Sequence, residues 1–158
     1  MTCSLPSKIL LCAITMLLLG GLGGWLTAGS IPNWYATLNH PPGKPPNWLF
    51  GPVWTVLYLM IGTSAALIWH HHPKQVGRTR STFYFSLQLI LNLCWTPAFF
   101  GAHQIELALV IIILMWLAIL LTIREFGRFS KPAAFLLIPY LLWVSYATYL
   151  NAGYAWLN

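Results

Sequence analysis

The stretch Ser30-Ile-Pro-Asn-Trp34-Tyr35-Ala-Thr-Leu38-Asn-His40-Pro-Pro-Gly-Lys44-Pro45-Pro-Asn-Trp-Leu-Phe50-Gly-Pro-Val-Trp54-Thr-Val-Leu-Tyr58 joins two apolar segments, each long enough to span a bilayer. Five prolines fall between Pro32 and Pro46. Proline fixes φ, so this connection is stiff. Long connections of this kind serve as lids or binding loops. Ile31, Trp34, Tyr35 and Leu38 follow the i, i+3, i+4, i+7 spacing of one helical face. The spacing predicts a short amphipathic helix with Ser30 as its N-cap and Pro32 in its first turn, followed by a proline-rich strap.

Composition sets the surroundings. Only 6% of the 158 residues are charged and 58% are hydrophobic, whereas a soluble domain carries about 25% charged residues. Such a chain cannot cover itself with polar groups, so it lies in a membrane as a single domain. The net charge is +6, but the eight Lys and Arg cluster at segment ends. They are orientation signals and leave no nucleic-acid surface. Cys3, Cys12 and Cys94 have neither metal-ligand nor redox spacing and read as small apolar residues or idle thiols.

Five spans are expected, at about 9–28, 48–69, 82–100, 106–123 and 132–151, in an all-α bundle. The first, after Lys8, has the alternative reading of a secretory signal. Its length and the aromatic loop behind it favour a retained span. Gly20, Gly24 and Ala28 recur every fourth residue and permit close helix approach, either within the chain or across a dimer seam. The second span starts at Asn47 or at Pro52; the later start leaves 18 residues to Trp69, about 27 Å of helix. Gln88, Asn92, Trp95 and Phe99 share one face of the third span, which must turn inward because an amide facing lipid is costly. Gly101 is expected to stop it and Pro97 to loosen its last turn. The fourth span reads as a lipid-facing strut with Trp116 and Thr122 as its notable side chains and Glu106 at its start. In the fifth, Ser130 caps, Pro139 kinks, and Pro139, Trp143, Ala147 and Asn151 share a face. His70, His71 and His72 begin an interfacial basic loop; three adjacent histidines suit a metal poorly.

Lys8, Lys74, Arg78, Arg80, Arg124, Arg128 and Lys131 fall on one side of the membrane and Lys44 alone on the other. This bias predicts a cytoplasmic N-terminus, with the first loop and C-terminus external, in a bacterial cell membrane.

No Asp, Glu, Lys or Arg lies mid-span, which argues against proton-coupled transport and charged ion pores. No nucleophile, paired-carboxylate or phosphate-loop pattern is present. The remaining chemistry is aromatic. Trp54, Tyr58, Asn92, Trp95, Phe99, Trp143 and Ala147 could converge under Trp34 and Tyr35, making a pocket for a large flat apolar ligand. His40 and Lys44 on the lid could pair with ligand carboxylates. The alternative is that these aromatics are packing and interface anchors.

Three motifs carry a resemblance: Trp34-Tyr35 with the Pro41–Trp48 run and Phe50-Gly51-Pro52-Val53-Trp54-Thr55-x-Leu57-Tyr58; Leu91-Asn92-Leu93-Cys94-Trp95-x-Pro97-x-Phe99-Phe100-Gly101; and Pro139-Tyr140-Leu141-Leu142-Trp143 through Asn151. In this order they resemble the TspO/MBR family, the tryptophan-rich sensory proteins and mitochondrial translocators (peripheral benzodiazepine receptors). The resemblance implies a five-helix, homodimeric membrane protein. Its implied ligands are porphyrins, haem-related tetrapyrroles and similar flat hydrophobic molecules, protoporphyrin IX among them, with no obligatory cofactor. The function implied is sensor, carrier or scavenger; alternatives are light- and oxygen-dependent protoporphyrin breakdown, or transport. Carried over by motif, the ligand-binding positions are Tyr35, Pro45, Trp54, Tyr58, Asn92, Phe99, Trp143 and Ala147, with Trp54 and Trp143 the residues that matter to any breakdown. Membrane lipid is the expected surrounding partner. No basic residue follows Tyr149, so the sterol motif of animal members is incomplete and the chain reads as bacterial in type.

Overall fold

The computed structural model describes residues 4–71 and 78–158. The elements are α1 (Leu5–Ala28), α2 (Ser30–Asn33), α3 (Phe50–His71), α4 (Arg78–Thr96), α5 (Ile105–Gly127), α6 (Lys131–Leu136) and α7 (Ile138–Leu157). There is no strand among the described residues. Five stretches are long and apolar enough to cross a membrane: Leu5–Trp25, Asn47–His70, Thr79–Gly101, Ile105–Gly127 and Lys131–Leu157. The protein is an all-α integral membrane bundle.

α1 packs chiefly on α3, α4 on α5, and α5 also on α6 and α7. The α1–α3 crossing is close because Gly62 has no side chain: a Cβ there would lie 2.9 Å from the Ala13 Cα. At the end of the bundle where α5 meets α6, Glu125 is 3% exposed. Its Oε2 accepts from Arg128 Nη1 at 3.0 Å, and its Oε1 lies 3.5 Å from Arg80 Nε. A buried carboxylate needs such partners, and here they tie α4, α5 and the loop after α5 into one knot.

Several expectations change. α5 is more than a lipid-facing strut: it exposes Leu107, Val110, Ile113, Leu114, Leu117 and Leu120 on one side, but Ala108, Ile112, Met115, Ala118, Ile119, Thr122, Glu125 and Phe126 are buried, because it packs on α4, α6 and α7. Its Trp116 Nε1 donates to Ser145 Oγ of α7 at 2.7 Å. The loop helix is a single turn, α2, followed by a 3₁₀ turn over Tyr35–Thr37. Ser30 does not cap it; Gly29 does, while Ser30 Oγ donates to Phe100 O at 2.6 Å. Gly101 does not stop α4. The helix widens into a π turn, Pro97–Gly101, and reverses at His103, whose φ is 57°. Pro97 cannot donate a backbone bond, which favours the wider register. The fifth span is two helices: α6 ends before Leu137 and α7 opens with Pro139 in its first turn, where a missing N–H costs nothing. Ser130 caps α6 as expected, accepting from Ala133 N at 3.4 Å.

Both readings of the second span hold in part. A 3₁₀ turn over Asn47–Leu49 leads into α3, leaving Pro52 in the helix's first turn. Cys12 is buried and Cys94 exposed. Cys3, His72 and Lys74 lie outside the described residues. Among the described residues no cluster of His, Cys, Asp or Glu could hold a metal.

Candidate functional site

The half of the bundle beneath the first loop encloses a cavity of about 500 Å³. Its walls come from four spans and the first loop, and each wall has a local cause.

The α1 wall is made by absence. Gly20, Gly21, Gly23 and Gly24 line the cavity. A Cβ on Gly20 would overlap the Tyr58 ring, whereas one on Gly24 would meet nothing within 4 Å. Gly20 therefore seats a cavity aromatic, and Gly24 leaves space. Of the two readings of the Gly20–Gly24–Ala28 repeat, Gly20 follows the intramolecular one, and all three residues line the cavity.

The α3 wall is Trp54 and Tyr58, one helical turn apart, with ring centroids 5.4 Å apart and planes 29° off parallel. Tyr58 Oη donates to Asn92 Oδ1 of α4 at 2.8 Å, and Asn92 Nδ2 donates to Tyr140 Oη of α7 at 2.9 Å. Tyr140 Oη continues to Met115 Sδ of α5 at 3.5 Å. This chain crosses four helices beneath the cavity and satisfies polar groups that would be costly in a dry interior.

Trp95 and Phe99 stack at 5.4 Å and 19°. The π turn carries this pairing past Pro97. Trp95 Nε1 donates to Asn151 Oδ1 at 3.0 Å, and Asn151 Nδ2 donates to Ile105 O at 3.0 Å. Trp143 and Ala147 of α7 complete the ring. The Trp143 Nε1–H is buried without a partner.

Tyr35, 4% exposed, forms the roof. The strap behind it is held to α7: Tyr149 Oη donates to Pro42 O at 3.0 Å, Tyr146 Oη donates to Gly43 O at 2.5 Å, and the Asn39 amide donates to Asn158 Oδ1 at 2.8 Å. Gly43 sits at φ 80°, the left-handed turn that glycine adopts without strain.

The structure thus brings Tyr35, Trp54, Tyr58, Asn92, Trp95, Phe99, Trp143 and Ala147 to one cavity. Trp34 stands behind this wall, stacked on His103 at 4.2 Å and edge-on to Phe99 at 5.4 Å. Pro45 is buried in the strap and is not among the lining residues. His40 and Lys44 also lie outside the cavity. His40 Nδ1 meets Tyr154 Oη at 3.0 Å, and Lys44 Nζ lies 3.5 Å from His40 Nε2 and 5.0 Å over the Tyr35 ring. Burial, with the Lys44 ammonium second, holds His40 below the ordinary imidazole range, so it is neutral at pH 7. Burial likewise pushes the Tyr35 hydroxyl up. No Asp, Glu, Lys, Arg or His lines the cavity.

Sequence periodicity missed the α1 glycines as cavity wall, and also Asn151 and Tyr154, which line it. Asn151 lay on the Trp143–Ala147 face and was legible there. Tyr154 is 2% exposed.

The chain is similar to known proteins over most of its length. The profile of the TspO/MBR family matches residues 11–157. The chain is 43% identical over 152 residues to "Tryptophan-rich protein TspO" of Chlorobaculum tepidum, covering 94% of each chain. It is 32% identical over 142 residues to "Tryptophan-rich sensory protein" of Cereibacter sphaeroides, covering 88% of this chain and 87% of that one. It is 38% identical over 135 residues to the human "Translocator protein", covering 82% and 78%.

Proposed function

This chain belongs to the TspO/MBR family, and we propose that it binds porphyrins and similar flat hydrophobic molecules in its outer cavity, as a sensor, carrier or scavenger. The observation that supports this is the cavity itself: about 500 Å³, walled by Trp54, Tyr58, Trp95, Phe99 and Trp143 and lacking any charged side chain. Ligand pockets commonly measure roughly 300–1,000 Å³ and are lined by apolar and aromatic groups with a few placed polar ones. Indole and phenyl faces suit a π-conjugated macrocycle. The homodimer and the bacterial cell membrane, with the N-terminus inside and the first loop outside, belong to the same proposal.

A second reading, oxygen-dependent breakdown of protoporphyrin in light, is favoured by one feature. Trp54 and Trp143, both oxidisable indoles, line the same cavity, with Trp54 stacked on Tyr58. Ion-coupled transport is disfavoured because no titratable carboxylate, lysine or histidine reaches the cavity.

Titration of purified protein with protoporphyrin IX in the dark separates these readings. Saturable quenching of tryptophan fluorescence, with an unchanged porphyrin spectrum on later illumination in air, supports binding alone. A new product spectrum in light that requires oxygen supports breakdown. No saturable binding would defeat both.

A further inference from the structure

We propose that Lys44, His40, Tyr154 and Tyr35 form an oriented hydrogen-bond relay that presents the Tyr35 O–H as a donor to the cavity, selecting flat apolar ligands that carry a carbonyl or carboxylate oxygen at the lid end. This deepens the binding function proposed above and rests on it.

The direction of the relay follows from counting protons. Tyr154 Oη donates to Tyr35 Oη at 2.7 Å. A phenol has one proton, so Tyr154 has none left for His40 Nδ1, 3.0 Å away. That contact therefore runs from an Nδ1–H on His40. A neutral imidazole protonated at Nδ1 has a bare Nε2, which needs a donor. Lys44 Nζ, 3.5 Å from Nε2, has only protons to offer. The two ends assign the same tautomer independently.

The consequence falls on Tyr35. Its oxygen accepts from Tyr154, so its own proton is turned elsewhere. Tyr35 is 4% exposed and lines the cavity. No described hydrogen bond takes its proton. By contrast, Tyr58 and Trp95 spend their single protons on Asn92 and Asn151, and Asn92 and Asn151 each place one of their two amide protons on Tyr140 and Ile105; besides Tyr35, the Trp143 Nε1–H is a cavity donor without an acceptor. A buried donor without an acceptor favours any ligand that brings one. His40 and Lys44, both outside the cavity, are positioning residues here. They act through Tyr154 and need not touch the ligand.

Two porphyrins of similar shape test this: mesoporphyrin, with two carboxylates, and etioporphyrin, with alkyl groups only. Both are titrated in the dark into the full-length protein in lipid nanodiscs. Tyr35→Phe should weaken mesoporphyrin about tenfold and leave etioporphyrin unchanged. His40→Ala releases Tyr154 and Tyr35 to reverse their bond, and should narrow the preference for mesoporphyrin in the same direction. His40→Asn, which keeps an N–H near the place of Nδ1, should restore it. A ¹⁵N spectrum of the ligand-free protein should show His40 as the Nδ1–H tautomer. If Tyr35→Phe weakens both porphyrins equally, or neither, or if His40 carries its proton on Nε2, the relay is overturned while the cavity reading stands. If the wild type binds neither porphyrin, the cavity reading fails and the relay's selective role with it.

Discussion

Gly20 and Tyr58 compete for one volume: the methyl group of an alanine at position 20 would overlap Cε2 of the Tyr58 ring. The ring fits against α1 only because that helix has no side chain there. Tyr58 is 9% exposed and holds the hydrogen bond to Asn92, so one hydrogen atom on α1 governs both a cavity wall and a buried polar chain.

Gly20→Ala should therefore lower the melting temperature in detergent and weaken protoporphyrin binding, because the ring must leave its seat. Gly24→Ala should change neither, since its Cβ meets nothing within 4 Å. Gly24→Leu should weaken binding by filling space while leaving the melting temperature near wild type. Equal effects of Gly20→Ala and Gly24→Ala would contradict this account of the wall.

Tyr58→Phe removes the donor to Asn92 Oδ1, which is buried in the bundle. An acceptor stranded there costs about 1–3 kcal/mol. Reversible denaturation should register a loss in that range, with porphyrin binding affected less than by Gly20→Ala. A loss within error would mean that water replaces the phenol.

Trp143→Phe keeps most of the aromatic area, and losing one ring contact costs only about 0.5–1.5 kcal/mol beyond area. Porphyrin affinity should fall modestly, and any light-dependent breakdown should fall much further, because phenylalanine is far harder to oxidise. Trp116→Phe should cost some stability through its lost bond to Ser145 but leave both porphyrin assays unchanged, since Trp116 does not line the cavity. Parallel losses in the two variants would place the ligand elsewhere.

The seven-to-one distribution of Lys and Arg predicts an external C-terminus. A C-terminal alkaline phosphatase fusion should be active in a bacterial host and a C-terminal green fluorescent protein fusion dark. The reverse pattern would invert the assignment and put the strap on the inner side.

What could be read from the sequence tracks the physics of each residue. Trp54 with Tyr58, Asn92 with Trp95 and Phe99, and Trp143 with Ala147 keep helical spacing, so their shared faces are legible in the sequence. Glycine contributes nothing to such a pattern, and the α1 wall was legible only as a run of small residues with two meanings. The strut reading of α5 holds for its exposed face but misses the buried one, because a span that is apolar on every side gives no signal of which side is covered. The break at Leu137 turned on Pro139 being at a helix start instead of its middle, a difference of backbone register that composition does not encode. His40 and Tyr154 are 114 residues apart, and only the folded strap brings them together.

The buried Glu125, with Arg80 and Arg128 on its two oxygens, gives the bundle a mechanical polarity. Charge-assisted bonds fasten the Glu125 end, whereas at the cavity end the spans themselves are joined by neutral hydrogen bonds around an open space. Local opening draws on the weakest region of a structure, so native-state hydrogen exchange should run faster in the cavity-side turns of α4 and α7 than in their turns toward Glu125. Filling the cavity would then slow exchange at one end of each helix and leave the other end unmoved.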